Sequence, residues 1–233
     1  MRWEDRALAA LNWVSALTMA VAIYMVFLAA PTERTMGMSQ RIFYFHVGSG
    51  WVGACAFLVA LAAGLLLLWT GKREWDRLAV AAVETGLAFT TMIIATGSIW
   101  AKAAWNTWWT WSPRLTSAAV MWLVYAAYLL LRSTVEDPGR RARYGAVYAT
   151  VGFVSVVATF VSIRLLRDIH PTLFGTGAGE MGGGLAYGMR LPFCLSLVAF
   201  SLLGVTLTGH RLRLARIGDD IAQLHLRLLE YLE

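Results

Sequence analysis

Residues 42–70 read IFYFHVGSGWVGACAFLVALAAGLLLLWT, 29 residues without a single Asp, Glu, Lys or Arg. About 20 predominantly apolar residues are enough for a helix to cross the hydrocarbon core of a bilayer, so this stretch reads as a membrane-spanning helix. Five further charge-poor runs accompany it: roughly Leu8 to Ala30, Leu78 to Ala101, Leu115 to Leu131, Tyr144 to Ile163 and Leu191 to Gly209. Each reaches crossing length, the fourth only just. The first is longer than a signal-peptide core and is not followed by a small-residue cleavage signature, so it is expected to be retained. The expected fold is all-α, a polytopic membrane bundle of six transmembrane helices.

Composition agrees. Of the 233 residues, 58% are hydrophobic and 15% charged, and the mean hydropathy is +0.59. So little charge cannot cover a soluble surface of this size, which excludes an ordinary cytosolic enzyme. Six helices and their loops also leave no room for a separate soluble catalytic domain. The net charge of +6 does not point to nucleic acid, because most Lys and Arg lie just outside the apolar runs, where they orient helices and meet anionic lipid head groups. Counted on alternate sides of six crossings, thirteen cations fall on the side of the termini and seven on the other. By the positive-inside tendency both termini are then cytoplasmic. Cys55 and Cys194 lie within apolar runs and form neither CxxC nor CxxCH, so a covalent c-type haem site, a thiol relay and a zinc ribbon all lack their ligands.

Three segments are left facing outward, about residues 31–45, 100–116 and 164–190, and they hold most of the unusual chemistry. The middle one contains Trp100, Trp105, Trp108, Trp109 and Trp111 within twelve residues, five of the chain's 11 tryptophans. Indoles favour the membrane interface, so a single Trp there is ordinary. A dense run followed by Arg114 is a different pattern: indole faces offer a flat apolar platform, and Lys102 and Arg114 offer cations to carboxylates at its edge. A planar apolar ligand with acidic edges fits that description. The first segment leads into QRIFYFHV, which carries His46, and the third begins IRLLRDIHPTLFG, which carries His170. Either histidine alone reads as a polar residue of the head-group zone. Two at similar depth beside a Trp platform can also ligate a haem iron from opposite sides of the porphyrin plane. Their spacing in sequence says nothing about contact.

These residues carry a family resemblance. WNTWWTWSPRLTS resembles the WWD-type motif of the haem-handling proteins of cytochrome c maturation, and QRIFYFHV resembles the first-histidine segment of their CcmC branch. The order His, Trp loop, His on six helices is similar through Gly209. The resemblance implies a non-catalytic protein of the bacterial cytoplasmic (inner) membrane, with its haem site facing outward. It implies non-covalent haem b, with His46 and His170 as axial ligands and Trp100, Trp105, Trp108, Trp109, Trp111 and Arg114 as the contact loop. The implied partners are an extracytoplasmic haem chaperone, ABC transporter subunits and a small membrane protein. Departures are specific. Ser112 stands where the family pattern usually has Asp, Leu165 and Leu166 where Trp is frequent, and Gly48 where proline is common, so a role for the motif's carboxylate does not carry over.

The alternative reading is a haem-containing membrane oxidoreductase of cytochrome b type, which needs histidines deep in the helices and more than one haem. A small-molecule transporter would show paired broken helices, and the haem-delivery subunit of the alternative maturation pathway is a longer chain. Glu84 sits two turns into the third crossing and is open to a structural or functional role. The glycine-rich residues 175–184 lack the Gly-Lys-Ser/Thr ending of a phosphate loop and read as an outer lid. The chain divides into a six-helix domain, 1–209, and an amphipathic helix, 210–233. In the latter, Leu214, Ile217, Ile221, Leu224, Leu228 and Tyr231 recur at helical steps and Gly218 is a weak point. His210 and His225 are expected to face solvent. Truncation after Arg213 is expected to leave haem binding intact; purification of the shortened chain without a haem absorption spectrum would contradict this.

Overall fold

The computed structural model describes residues 3–34, 36–166, 170 and 185–232. Among them are six long helices: α1 (Trp3–Tyr24), α2 (Ile42–Thr70), α3 (Arg73–Trp105), α4 (Pro113–Thr134), α5 (Pro138–Leu165) and α6 (Tyr187–Leu232). A wider π turn, Met25–Ala29, extends α1, and a 3-10 turn, Met38–Arg41, leads into α2. All six are long and apolar enough to cross a membrane. No strand forms among the described residues, because backbone groups inside hydrocarbon must find partners within their own segment. The glycine-rich segment read as a lid lies outside the described residues.

Local chemistry sets the ends of the helices. Gly71 adopts φ 69°, where a Cβ would be strained, and its N–H donates to the Leu67 carbonyl at 2.8 Å, closing α2. Two residues later α3 begins, so α2 and α3 form a tight antiparallel hairpin. Pro138 opens α5, and the Asp137 side chain accepts from the Arg140 N–H at 2.7 Å. At the far end of α3, Asn106 takes a left-handed φ of 56°. The Lys102 ammonium donates to its carbonyl at 3.2 Å and its Oδ1 at 2.8 Å.

Helix α2 is central. It packs on α3 over the largest interface and also on α5 and α6, while α4 lies against α5 and α1 against α6. Lipid tails are as apolar as leucine, so close van der Waals contact at small residues holds such bundles together. A Cβ on Gly86 would stand 2.6 Å from the Phe57 ring, and one on Gly204 would stand 2.5 Å from Val52. Phe57 in turn stacks on Tyr125 of α4 with centroids 3.6 Å apart and planes 6° from parallel. Gly48, at the proline position of the family pattern, seats Phe200 of α6, and α2 runs past it unbroken.

Charges tie the bundle at the end opposite His46. Arg132 donates through both terminal nitrogens to Asp76, at 2.7 and 2.9 Å, joining α4 to α3. Arg211 of α6 grips both oxygens of Glu84, so this carboxylate has a structural partner. Beside it the Thr85 and Thr208 hydroxyls meet at 3.1 Å. His210, expected in solvent, instead lies 2.8 Å from the Asn12 amide oxygen. Helix α6 continues through Gly209 and Gly218 without interruption. Its 46 residues span about 69 Å, twice the hydrocarbon thickness, so its far half projects beyond any bilayer that its first half crosses. Arg77 holds that half to α3 through Asp219 at 2.7 Å.

The Arg132 and Asp76 side chains are only 12% and 19% exposed, whereas Arg140 and Asp137 are 74% and 53% exposed at 3.8 Å. Removing one partner of a desolvated pair strands the other charge, a loss of about 3 kcal/mol. Arg132→Ala should therefore lower the thermal midpoint in detergent markedly, while Arg140→Ala leaves it near the parent value.

Candidate functional site

His46 sits one turn into α2, and the aromatic residues around it fix where that turn begins. Phe43 stacks on Phe193 of α6 at 5.5 Å, and Phe45 contacts Phe27 and Phe200, each at 6.0 Å. With α2 seated this way, the half-buried imidazole of His46 turns toward α3. Its Nδ1 lies 3.1 Å from the Thr96 hydroxyl oxygen. That hydroxyl donates its own proton to the Met92 carbonyl at 2.7 Å, leaving lone pairs toward the imidazole. Nδ1–H is then the donor, and Nε2 keeps a lone pair. The ring also lies over Gly97, where an added Cβ would stand 2.9 Å from Cε1. The close approach of ring to backbone exists because residue 97 has no side chain.

His170 lies outside the helices, five residues beyond Leu165, the last residue of α5. The fold brings its ring to 6.3 Å from that of His46, centroid to centroid, with the planes tilted by 35°. A metal–imidazole bond of about 2.0–2.1 Å puts each ring centroid roughly 3.1 Å from the metal, so two rings across one iron stand about 6.3 Å apart. The observed spacing fits that requirement.

The tryptophans divide into two pairs. Trp100 lies one turn beyond Thr96 and Gly97 on α3 and meets Trp105 edge to face at 5.0 Å and 85°. Trp109 and Trp111 form a second edge-to-face pair at 5.8 Å and 79°. Trp108 and Trp111 are largely exposed, 59% and 79%. The connection between α3 and α4 is braced from within by the Thr107 hydroxyl, which donates to the Trp109 carbonyl at 3.0 Å. Within it the Trp109 Nε1, Thr110 Oγ1 and Ser112 Oγ atoms are buried with no hydrogen-bond partner among the described residues. Buried polar atoms are normally paired, and three donors left over in four residues suit an acidic ligand edge.

The two cations behave differently from a free pair of carboxylate clamps. Lys102 is turned to Asn106. Arg114 donates to the Thr159 carbonyl of α5 and lies 5.1 Å over the Phe160 ring, so it fastens the start of α4 to α5. Sequence reasoning missed Thr96, Gly97 and Thr110 beside these residues, and it noted Ser112 only as a departure from the motif. Neither a lone Thr-Gly pair in an apolar run nor small hydroxyls in a Trp loop is distinctive before the helices are packed.

Comparison with known proteins identifies relatives of the whole chain. A family model described as CcmC, heme exporter protein C, matches residues 1–226. Heme exporter protein C of Bradyrhizobium diazoefficiens is 31% identical over 228 residues, 96% of this chain and 83% of that protein. The protein of that name from Escherichia coli K12 is 33% identical over 186 residues, 79% of this chain and 73% of its own. That from Rhodobacter capsulatus is 28% identical over 227 residues, covering 96% and 91%. With six helices able to span a bilayer and this breadth of similarity, the chain is an integral membrane protein and belongs to the CcmC, or heme exporter protein C, family.

Proposed function

We propose that this protein holds haem b non-covalently between His46 and His170 at the outward face of the cytoplasmic membrane and passes it to an extracytoplasmic haem chaperone for cytochrome c maturation. The observation that carries the reading is the pair of imidazoles 6.3 Å apart, brought together from α2 and from beyond α5. Haem is cargo here, not a resident catalyst. A carrier needs ligation strong enough to select iron porphyrin and no thioether bond to prevent its departure. Two histidines meet that need, and both cysteines lie within apolar helices, α2 and α6, as free thiols.

The chain's own residues have separable tasks in this reading. His46 and His170 supply imidazole nitrogens to the iron. Trp100 and Trp105 end α3 directly above the His46 contact, while Trp108, Trp109 and Trp111 supply apolar faces along the α3–α4 connection. Trp109 Nε1–H and the Thr110 and Ser112 hydroxyls offer donors to the carboxylate edge. In that role Ser112 places a neutral donor at the motif's acid position, where a carboxylate would repel the ligand's own. Arg114 adds positive charge nearby and holds the connection in place through α5. The names of the relatives, heme exporter protein C, support haem as the cargo, and in this reading the protein works beside an ABC transporter and a small membrane partner. The protein is read as a carrier that performs no catalysis of its own.

Absorption spectroscopy of the purified chain tests the ligation. His46→Ala and His170→Ala should each alter the haem spectrum, and Arg114→Ala should lower haem occupancy measured as pyridine haemochrome. Occupancy near one haem per chain and no reduction by quinol separate a carrier from a cytochrome b. A double-histidine variant with the parent Soret band and haemochrome yield would overturn the ligand assignment.

A further inference from the structure

We propose that the turn of α3 from Met92 to Gly97 sets the redox preference of the site: Thr96 offers the His46 ring a neutral acceptor, so the site favours ferric over ferrous haem less than a carboxylate in its place would. The inference rests on His46 being an iron ligand, as proposed above, and adds a redox setting to that ligand. Thr96 acts through His46 and is a positioning residue.

The Nδ1 atom of His46 lies 3.1 Å from the Thr96 hydroxyl oxygen. The hydroxyl gives its own proton to the Met92 carbonyl at 2.7 Å, so toward the ring it accepts. The proton of a neutral imidazole is thereby held on Nδ1, and Nε2 is the nitrogen left for a metal. Gly97 completes the seat. A Cβ at that residue would stand 2.9 Å from Cε1, the carbon between the two nitrogens, and 3.4 Å from Nδ1. A hydrogen bond at one nitrogen and a backbone contact at the neighbouring carbon orient the ring on a residue that is already inside α2.

The chemistry of the acceptor matters as well as its place. An acceptor on the non-ligating N–H raises the basicity of a ligating imidazole, and stronger donation favours ferric iron. A carboxylate in that place would make a charge-assisted hydrogen bond, roughly twice as strong as a neutral one. His46 has the neutral hydroxyl instead. Second-shell hydrogen bonding is one of the levers on haem potential, and here it orients the ring with little bias toward the ferric state. The protein moves no electron in this account; it sets the relative affinity for two forms of its cargo.

The test titrates ferric and dithionite-reduced haem into the full-length chain in detergent, followed at the Soret band, and measures the midpoint potential of the loaded chain. Thr96→Val removes the acceptor and should weaken ferric binding about 10-fold to 100-fold, with a smaller loss for ferrous haem. Each tenfold excess of the ferric loss raises the potential by about 59 mV. Thr96→Ser keeps the hydroxyl and should restore the parent values. Thr96→Asp puts a carboxylate against Nδ1 and should move the potential the opposite way, downward. Gly97→Ala displaces the ring at Cε1 and should weaken binding with little change in thermal midpoint, because the end of a side chain gives way and the backbone does not. Parent affinities and potential in Thr96→Val, beside an altered spectrum in His46→Ala, would overturn the proposal. Equal losses for both oxidation states, with an unmoved potential and a lowered thermal midpoint, would mean that Thr96 merely supports the fold and would overturn it as well. A parent-like spectrum in His46→Ala would strike the ligation reading itself, and this proposal with it.

Discussion

The close approach of α2 and α3 governs where everything else can go. Along that contact Gly53 faces Thr90 and Gly86 faces Phe57, and the missing side chains allow the two backbones to come together. In a bilayer no hydrophobic force drives one apolar helix onto another, so registers are selected by shape. The register selected here puts His46 opposite Thr96 and Gly97, two turns beyond the Gly53 and Thr90 contact. A slip of one residue along either helix would aim the imidazole elsewhere. The same contact leaves α3 free to run on past His46 for two more turns, carrying Trp100 and Trp105 above it.

A division of labour between the two ends follows. At one end, ion pairs from Arg132 to Asp76, Arg211 to Glu84 and Arg213 to Asp5 lock helices that are distant in sequence. Their side chains are matched, and the helices there are joined by very short turns. At the other end the connections are longer, the polar atoms of Trp109, Thr110 and Ser112 are left over, and indoles stand exposed. A bundle that is closed by charge at one end can tolerate unsatisfied chemistry at the other. That asymmetry is what a carrier with an accessible cargo site requires.

Much of this was legible in the chain. The run from Ile42 to Thr70 coincides with α2, because charge stops abruptly at both of its ends. The third run was shorter than α3, since Arg73 to Arg77 are polar or aromatic and Lys102 interrupts the apolar run, yet both stretches continue the helix. The amphipathic repeat after Gly209 was visible, but its fusion to the sixth crossing was not, because a glycine in a helix lowers propensity without breaking a helix that has contacts to hold it. The Trp-rich connection and both histidines stood out by composition. What composition could not give was pairing. Thr96 is 50 residues from His46, and Glu84 is 127 from Arg211. Such contacts depend on which helices neighbour one another, a property of the packed bundle.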